Sequence, residues 1–339
     1  MRKNDFAELL TAFLSSYLPN FKNVSHNTIS SYCDTFKIFL RYCRDNCGIP
    51  IEKITLEKLN DELIENFLIW LENEKNCSIS TRNQRLMAFR SLFRYIQAEA
   101  PQHILSCQKV LHIPTKRKEQ PVVNYLTKNE LQALLLQPDT ISSMGRRDLV
   151  MLCLLYDTGA RVQELVDLTP RSVRIEHPAH ICLMGKGRKA REVPLLSKTA
   201  KLLQDYLQEQ QLLMPAKANY PLFPNRNGGK MTRSGIAYIL GKYADMARLK
   251  CPSFPESISP HVLRHTKAMH LLQADVNIVY IRDILGHASV NTTQVYASAD
   301  TQMKRAALEK LGDSPAPEVP SWVSNTDLLT WLQGFSKQK

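Results

Sequence analysis

The spacing of apolar residues in the first hundred positions is the feature that most limits how this chain can fold. Three segments, 25–45, 59–74 and 80–97, carry apolar side chains three and four residues apart. This spacing places the apolar groups on one face of an α-helix, where they can pack against neighbouring helices. Thr81 followed by Gln84 fits a capping box for the third helix. The sequence therefore predicts an all-helical N-terminal region.

The third predicted helix is also strongly basic. It carries four arginines with no acidic residue between them: Arg82, Arg85, Arg90 and Arg94. If these side chains lie on the open faces of the helix, they suit the phosphate backbone of DNA. A solvated basic surface explains the same pattern equally well.

Composition limits the class of protein. Lys and Arg number 44 against 32 Asp and Glu, and the net charge of +12 favours a polyanionic partner. The eight cysteines include no CxxC pair, so we expect reduced thiols rather than a zinc or redox motif. No apolar run reaches the ~18 residues of a membrane span. We expect a cytoplasmic protein that binds no membrane, metal or cofactor.

A change of pattern near residue 111 divides the chain. Residues 112–123, HIPTKRKEQPVV, combine two prolines and a basic run with few apolar residues, as linkers do. We predict a helical N-terminal domain in 1–111 and a second domain in 124–312. A C-terminal tail, 313–339, begins with the proline-rich spacer DSPAPEVP.

The second region is predicted to be mostly helical with one β-hairpin. Thr127 and Glu130 fit a capping box, and a strongly apolar helix is expected to end at Gly159. Two short β-type runs in 180–196 flank the basic turn GKGRK. Further helical patterns follow, one of which is expected to end at Gly286. The expected fold class is mainly α with a small β-hairpin or sheet.

Four motifs follow one another through this region: TGARVQELVDL (158–168), GKGRKAREVPL (185–195), HVLRHTKA (261–268) and LGHASVNTTQVYA (285–297). Together they resemble the tyrosine recombinases, the phage-integrase family of site-specific DNA recombination. The resemblance covers nearly the whole chain, including the helical N-terminal segment and the linker. It implies a helical core-binding domain and a catalytic domain that form a C-shaped clamp on duplex DNA.

The resemblance also implies which residues perform the chemistry. Enzymes of this family break a phosphodiester with a tyrosine hydroxyl and leave a 3′-phosphotyrosine, and Tyr296 matches this nucleophile. The covalent ester allows the strand to be rejoined without ATP. Arg161 and Arg264 match two arginines that hold the phosphate, a role that suits a planar and permanently charged guanidinium. Glu164 is expected to orient Arg161, three residues before it.

Two histidines belong to the implied catalytic set. His261 matches the proton-handling position, because a tyrosine with a pKa of ~10 needs a base near neutral pH. His287 matches a later position that donates a hydrogen bond to the phosphate. His265 is also part of the family pattern but is expected to pack or cap rather than react, and His270 is expected to be structural.

The leaving 5′-hydroxyl needs a proton, and the family places a lysine on a β-hairpin for this step. Lys186, between Gly185 and Gly187, matches that lysine, whereas Lys189 is a rival because it is close and equally basic. Arg188 and Lys189 are also expected to contact DNA from the hairpin tip.

The implied function is a recombinase, borne by a mobile element, that acts in integration, excision or transposition. The expected partners are double-stranded DNA with an inverted-repeat core site, further copies of the chain in a tetramer, and accessory proteins or partner recombinases. The tail 313–339 is expected to pack on a neighbouring protomer. Two alternatives remain open: a type IB topoisomerase-like enzyme without partner exchange, and a recombinase that resolves chromosome or plasmid dimers. A DNA-binding accessory factor is disfavoured, because no catalytic position is missing.

Overall fold

The structure, a computed structural model, describes residues 5–117, 123–185, 189–287 and 289–299. The chain forms two compact units, Met1–Pro121 and Val122–Lys339, and the boundary between them falls within segment 112–123. The tail predicted in 313–339 lies outside the described residues. Within the described ranges, no helix is both long enough and apolar enough to cross a membrane.

The described part of the first unit is helical and contains no strand. Its helices are α1 (Asp5–Ala12) with a π-helical continuation (Phe13–Phe21), α2 (His26–Asp45), α3 (Asp61–Asn73), α4 (Ile79–Glu99) and α5 (Ile104–His112). The three helices predicted from apolar spacing are α2, α3 and α4, and all three are confirmed. Helices α1 and α5 were not predicted.

The predicted capping box of α4 is wrong by one turn. Ser78 is the N-cap, and its hydroxyl accepts a hydrogen bond from the backbone N–H of Thr81 at 3.3 Å. Thr81 therefore lies inside the first turn. Serine is a preferred N-cap residue, and Ser78 makes the hydrogen bond to the helix N-terminus that Thr81 was expected to make.

An aromatic cluster joins α2, α3 and α4. The ring of Phe39 in α2 packs edge-to-face on Phe67 of α3 and on Phe89 of α4, with centroid distances of 5.2 and 5.0 Å. All three side chains are fully buried. Edge-to-face pairs stabilise a core by about 0.5–1.5 kcal/mol beyond the burial of their area. The predicted apolar faces thus meet in one core.

Two of the four arginines of α4 hold the segment that leaves α5. Arg82 is only 6% exposed, and its Nη1 donates a hydrogen bond to the carbonyl of Pro114 at 2.9 Å. Arg90 donates from Nη2 to the carbonyl of Ile113 at 2.5 Å. The predicted open face is therefore wrong for Arg82, because its side chain satisfies a backbone carbonyl inside the unit.

The other two arginines differ from each other. Arg85 is half-buried and donates from Nη1 to Thr35 Oγ1 at 2.9 Å, which ties α4 to α2. Arg94 is exposed. Among the four, Arg94 is the side chain whose position best fits the predicted contact with a phosphate backbone.

The second unit is also mainly helical and contains one small sheet. In chain order its elements are α6 (Lys128–Leu135), α7 (Ser143–Thr158), α8 (Val162–Val166), β1 (Val173–Arg174), β2 (His180–Met184), β3 (Ala190–Pro194), α9 (Ser197–Glu209), α10 (Arg233–Lys250), α11 (Pro260–Gln273), α12 (Ile278–Leu285) and α13 (Asn291–Ala299). Thr127 and Glu130 form the predicted capping box of α6. Helix α7 lies in the core, since residues 150–155 are all buried.

The predicted hairpin is present and belongs to a three-stranded antiparallel sheet in the order β1-β2-β3. In β2 and β3, Leu183 pairs with Arg191 and Ile181 pairs with Val193. The backbone N–H of Gly185 donates to the carbonyl of Lys189 at 2.8 Å, which brings the two ends of the turn together. Lys186 and Arg188 lie between them, outside the described residues.

Two glycines end helices in the left-handed conformation, as predicted. Gly159 follows α7 with φ of 57°, and Gly286 follows α12 with φ of 64°. Both positions are also crowded: a Cβ on Gly159 would lie 2.5 Å from Leu285 Cδ2, and one on Gly286 would lie 2.9 Å from Arg191 Cδ. The two turns therefore need glycine for both conformation and space.

Gly159→Ala should lower the free energy of unfolding by about 1–3 kcal/mol, because it combines left-handed strain with a close contact to Leu285. Urea denaturation monitored by circular dichroism measures the change. Gly241→Ala is the matched control: it lies inside α10 with nothing within 4 Å of the added Cβ. That variant should be more stable than wild type by about 0.5–1 kcal/mol. Equal midpoints for the two variants would contradict the assignment.

Candidate active site

Helix α8 begins beside the end of α7, and its first turn carries two residues of the predicted set. Arg161 is the N-cap, and its backbone N–H donates to Glu164 Oε2 at 2.8 Å. The side chain of Arg161 donates from Nη1 to Glu164 Oε1, also at 2.8 Å. Glu164 therefore occupies the backbone N–H of Arg161 as well as its side chain.

Glu164 also binds a second arginine. Arg191 of β3 donates from Nη1 to Oε1 at 2.9 Å and from Nη2 to Oε2 at 2.7 Å. Burial alone would raise the pKa of Glu164, but the hydrogen bonds from Arg191 and Arg161 outweigh it and lower the pKa below its usual value. The carboxylate therefore stays ionised and holds both guanidinium groups, which extends the role predicted for it.

Arg191 was not among the predicted site residues, although the sequence contains a signal for it. Alternation along β3 puts Arg191 on the same face as Val193, which is buried. An arginine on the buried face of a strand needs a carboxylate or carbonyl partner. Its partner Glu164 lies 27 residues earlier in the chain, so strand alternation alone does not identify it.

Arg264 is the most deeply placed of the arginines. It is 2% exposed, and it donates from Nη1 to the carbonyl of Gly159 at 2.6 Å and from Nη2 to that of Leu285 at 2.7 Å. Burial, with the positive charges of Arg161 and Arg191, lowers the pKa of Arg264 to about 10. The group therefore remains charged near neutral pH.

The C-terminus of α12 holds all three arginines through consecutive carbonyls. The carbonyl of Ile284 accepts from Arg191 Nε at 3.0 Å, and that of Leu285 accepts from Arg264. The carbonyl of Gly286 accepts from Arg161 Nη2 at 3.2 Å. The last carbonyls of a helix lack partners within the helix and carry its partial negative charge, so they suit cations.

The charge of this cluster is unbalanced. Three guanidinium groups, from Arg161, Arg191 and Arg264, surround one carboxylate, that of Glu164. Backbone carbonyls provide partial charges only, so the cluster carries an excess of about two positive charges. Such a cluster favours an anion with several oxygens, and a phosphate diester is the anion that nucleic acid supplies.

The predicted histidines lie around this cluster. His287 follows Gly286, and its Nδ1 lies 2.9 Å from Thr293 Oγ1. Burial and the charge of Arg264 lower the pKa of His287 to about 4. Partial loss of hydration and the charges of Arg264 and Arg161 also lower the pKa of His261, whose side chain remains exposed at the edge of the site. Both imidazoles are therefore neutral at pH 7.

Tyr296 of α13 is buried beside α11. It is 4% exposed and packs in a small apolar cluster with Met269 and Leu285. Its hydroxyl lies 2.8 Å from His265 Nδ1. Burial raises the pKa of Tyr296, while the charges of Arg264 and Arg161 act to lower it. His265, which was expected to pack or cap, thus contacts the hydroxyl of the predicted nucleophile.

The hairpin reaches the same site. A Cβ on Gly185 would lie 3.6 Å from Glu164 Oε1 and 3.7 Å from Arg191 Nη1. Gly185 therefore lies at the edge of the arginine cluster, and Lys186, the next residue in the sequence, is outside the described residues. Lys189 is exposed on the other side of the turn. Within the described ranges, His, Cys, Asp and Glu side chains do not gather in groups that could hold a metal ion.

Two family models match this chain. The model described as the phage integrase family matches residues 124–303, and the model described as the phage integrase N-terminal SAM-like domain matches residues 9–101. The chain belongs to the phage integrase family. This integrase is thus a tyrosine recombinase, an enzyme that breaks and rejoins DNA at specific sites.

Individual relatives agree with the family models. The integrase/recombinase y4rC of Sinorhizobium fredii is 39% identical over 306 residues, which cover 90% of this integrase and 91% of the relative. Tyrosine recombinase XerD of Vibrio cholerae is 30% identical over 287 residues, which cover 83% and 88% of the two chains.

Solved structures show the same fold. The XerH site-specific recombinase bound to difH substrate, a pre-cleavage complex, matches with a TM-score of 0.65 and 25% identity over 85% of this integrase and 80% of that chain. The Tn1549 transposon integrase in complex with a circular intermediate DNA matches with a TM-score of 0.66 and 20% identity, over 91% and 99%. The second match concerns the fold alone.

Glu164→Gln should destabilise this integrase by about 3–5 kcal/mol at pH 7, because it leaves Arg161 and Arg191 without their carboxylate. The folded-state pKa of Glu164 is lowered, so its contribution is present above the unfolded value of about 4.3 and is lost as the pH falls below it. The difference in unfolding free energy between wild type and variant should therefore shrink between pH 7 and pH 3.5 in urea titrations.

Asp205→Asn provides the control for the Glu164 experiment. Asp205 pairs with Lys201 at 2.9 Å on an exposed helix face. Loss of such a pair costs at most about 0.5 kcal/mol. A Glu164→Gln effect as small as that of Asp205→Asn would contradict the role of Glu164 as the support of the arginine cluster.

Proposed function

We propose that this recombinase cleaves each DNA strand with Tyr296 and holds the scissile phosphate on Arg161 and Arg264. The observation that carries the proposal is the cluster of three arginines around a single carboxylate, with a buried tyrosine hydroxyl within reach of their charge. Cleavage would leave a 3′-phosphotyrosine and a free 5′-hydroxyl. The ester conserves the energy of the broken bond, so the strand can be rejoined to a new partner.

Arg161 and Arg264 would stabilise the transition state. Attack on the phosphorus places additional negative charge on the non-bridging oxygens, and fixed cations beside them lower the barrier. The hydrogen bonds from Arg264 to Gly159 and Leu285 hold its guanidinium before DNA arrives. Arg191 is a positioning residue in this scheme, since it acts on Arg161 through Glu164.

His261 and His287 would contact the phosphate from either side of this pair. Both are neutral near pH 7, so each can donate one hydrogen bond from its ring N–H and accept one at its other nitrogen. His261 would donate its hydrogen bond from the exposed edge of the site. His287, held by Thr293, would donate to a phosphate oxygen.

Lys186 would protonate the leaving 5′-oxygen. Support comes from Gly185, whose position next to Glu164 starts the hairpin turn at the edge of the site. Lys189, Arg188 and the exposed Arg94 of α4 would contact the DNA backbone elsewhere. Arg85 and Arg90, which are half-buried, would act mainly within their own unit.

The biological task that we propose is integration, excision or transposition of a mobile element in the cytoplasm. Support comes from y4rC, an integrase/recombinase that matches over nine-tenths of the chain. The substrate would be a DNA core site with inverted repeats, bound by a tetramer of the recombinase. Accessory proteins or partner recombinases would take part where the direction of recombination must be set. The XerH complex with difH supports a DNA site as the substrate. Relaxation of supercoiled DNA without joining two sites would instead favour the topoisomerase-like alternative.

Tyr296→Phe should abolish the covalent protein–DNA adduct, because it removes the attacking oxygen and retains the ring. The assay uses nicked suicide duplexes made from the DNA that flanks the gene, and the adduct is resolved by denaturing electrophoresis. Tyr280→Phe is the matched control, since Tyr280 is exposed on α12 and has no place in the proposed mechanism. An adduct with Tyr296→Phe would overturn the assignment of the nucleophile.

Lys186→Ala should slow cleavage sharply on an ordinary substrate and much less on a 5′-bridging phosphorothiolate. A thiolate leaves without a proton, so this substrate does not need the general acid. Single-turnover rates on the two substrates give the comparison. Lys189→Ala should cleave both substrates at the wild-type rate. A slow rate for Lys189→Ala that the phosphorothiolate restores, with Lys186→Ala unaffected, would assign the general acid to Lys189.

A further inference from the structure

Tyr296 makes a hydrogen bond that the proposed roles do not explain. Its hydroxyl is 2.8 Å from Nδ1 of His265, and the two rings are 5.6 Å apart. The family resemblance assigns proton handling to His261 instead. The ring of His261 stacks on the ring of His265, with 5.6 Å between their centroids. The histidine that contacts the reacting oxygen is thus His265, one helical turn beyond His261 on α11.

This inference rests on the proposed role of Tyr296 as the nucleophile. We infer that His265 is the base that removes the proton from the Tyr296 hydroxyl during strand cleavage and returns it during rejoining. Because Nδ1 contacts the reacting oxygen itself, His265 is a catalytic residue in this scheme.

The proton balance of the step is complete. As the Tyr296 O–H bond breaks, its proton moves to His265 Nδ1 and its oxygen forms the bond to phosphorus. The bond from phosphorus to the 5′-oxygen breaks, and that oxygen takes a proton from the general acid, assigned above to Lys186. Rejoining reverses each transfer, and the imidazolium of His265 returns the proton to the tyrosine oxygen.

The surroundings of His265 suit a base at neutral pH. Burial, together with His261 and Arg264 on the same helix, lowers the pKa of His265, so the ring is neutral and Nδ1 can accept a proton. His287, in the turn after α12, has its pKa lowered by burial, and it is close enough to Arg264 and His265 for their charges to lower that pKa further. Because burial raises the pKa of Tyr296, the hydroxyl keeps its proton until an acceptor takes it.

The charged groups of α7 belong to a different part of α11. Asp157 pairs with Lys267, with 3.7 Å between Oδ1 and Nζ. Tyr156 contacts His270, whose Nδ1 lies 2.9 Å from the Tyr156 hydroxyl. This second pair reproduces the contact between His265 and Tyr296 five residues further along the helix, away from the arginine cluster. It therefore provides a control for effects of packing alone.

His265→Asn separates proton transfer from hydrogen bonding. The amide oxygen of asparagine can occupy the position of Nδ1 and accept the hydrogen bond of Tyr296, but it cannot take the proton. Single-turnover rates of adduct formation on a suicide duplex should be measured from pH 5 to pH 10 for wild type, His265→Asn and His270→Asn. Thermal unfolding and DNA affinity of each variant identify a loss of folding or binding.

We expect His265→Asn to reduce the rate at pH 7 by about 100-fold or more, the usual contribution of a general base. The wild-type rate should rise with pH through the lowered pKa of His265 and then level off. In the variant the rise should continue to alkaline pH, where the tyrosine ionises without help. His270→Asn should keep the wild-type profile.

A more acidic nucleophile gives a second readout. Replacement of Tyr296 by 3-fluorotyrosine lowers the pKa of the phenol and should restore much of the rate in His265→Asn, but not in Lys186→Ala. A wild-type rate and profile in His265→Asn would overturn the inference. A slower rate in His265→Asn with an unchanged pH profile and no rescue by fluorotyrosine would show a structural role and would also overturn the inference. An equal loss of rate in His270→Asn would have the same meaning. These results leave the proposed function intact, which fails only if Tyr296→Phe still forms the adduct.

Discussion

Three guanidinium groups lie around one buried carboxylate in this integrase. The rest of the active site depends on how the repulsion between these positive charges is balanced. Glu164 binds Arg161 and Arg191 together, and the carbonyl ends of α12 bind Arg191, Arg264 and Arg161 in turn. The carbonyls satisfy donors without adding a full negative charge. The cluster therefore stays positive, and it is complementary to a phosphate before DNA binds.

The two left-handed glycines make this arrangement possible. Gly159 ends α7 with its carbonyl directed to Arg264, and Gly286 ends α12 where a side chain would collide with Arg191. The carbonyls at these helix ends thus accept hydrogen bonds from the arginines. The same two turns are followed in the chain by Arg161 and His287. Burial of Arg264 is tolerated because its donors are met by carbonyls whose positions the packing of α7, α11 and α12 holds in place.

Much of the fold could be predicted from the sequence, because its signals are local. The apolar stripe around Phe89 predicts a helix, Thr127 with Glu130 predicts a cap, and GKGRK between two β-type runs predicts a hairpin. A capping signal was misassigned where a second suitable residue lay close in the sequence. Ser78, three residues before Thr81, is the N-cap of α4. Arg82 was misplaced for a different reason, since the carbonyl of Pro114 that it satisfies lies 32 residues away.

The sequence by itself determined the family, the mainly helical fold and the candidates Arg161, Glu164, His261, Arg264, His287 and Tyr296, because each rests on residue type and short spacing. Only the tertiary structure brought Arg191 to Glu164 and placed His265, rather than His261, against the hydroxyl of Tyr296. His261 and His265 lie on one helix, one turn apart, and local spacing cannot choose between them. The packing of α13 against α11 decides, because it sets which of the two rings meets a side chain 31 residues further along the chain.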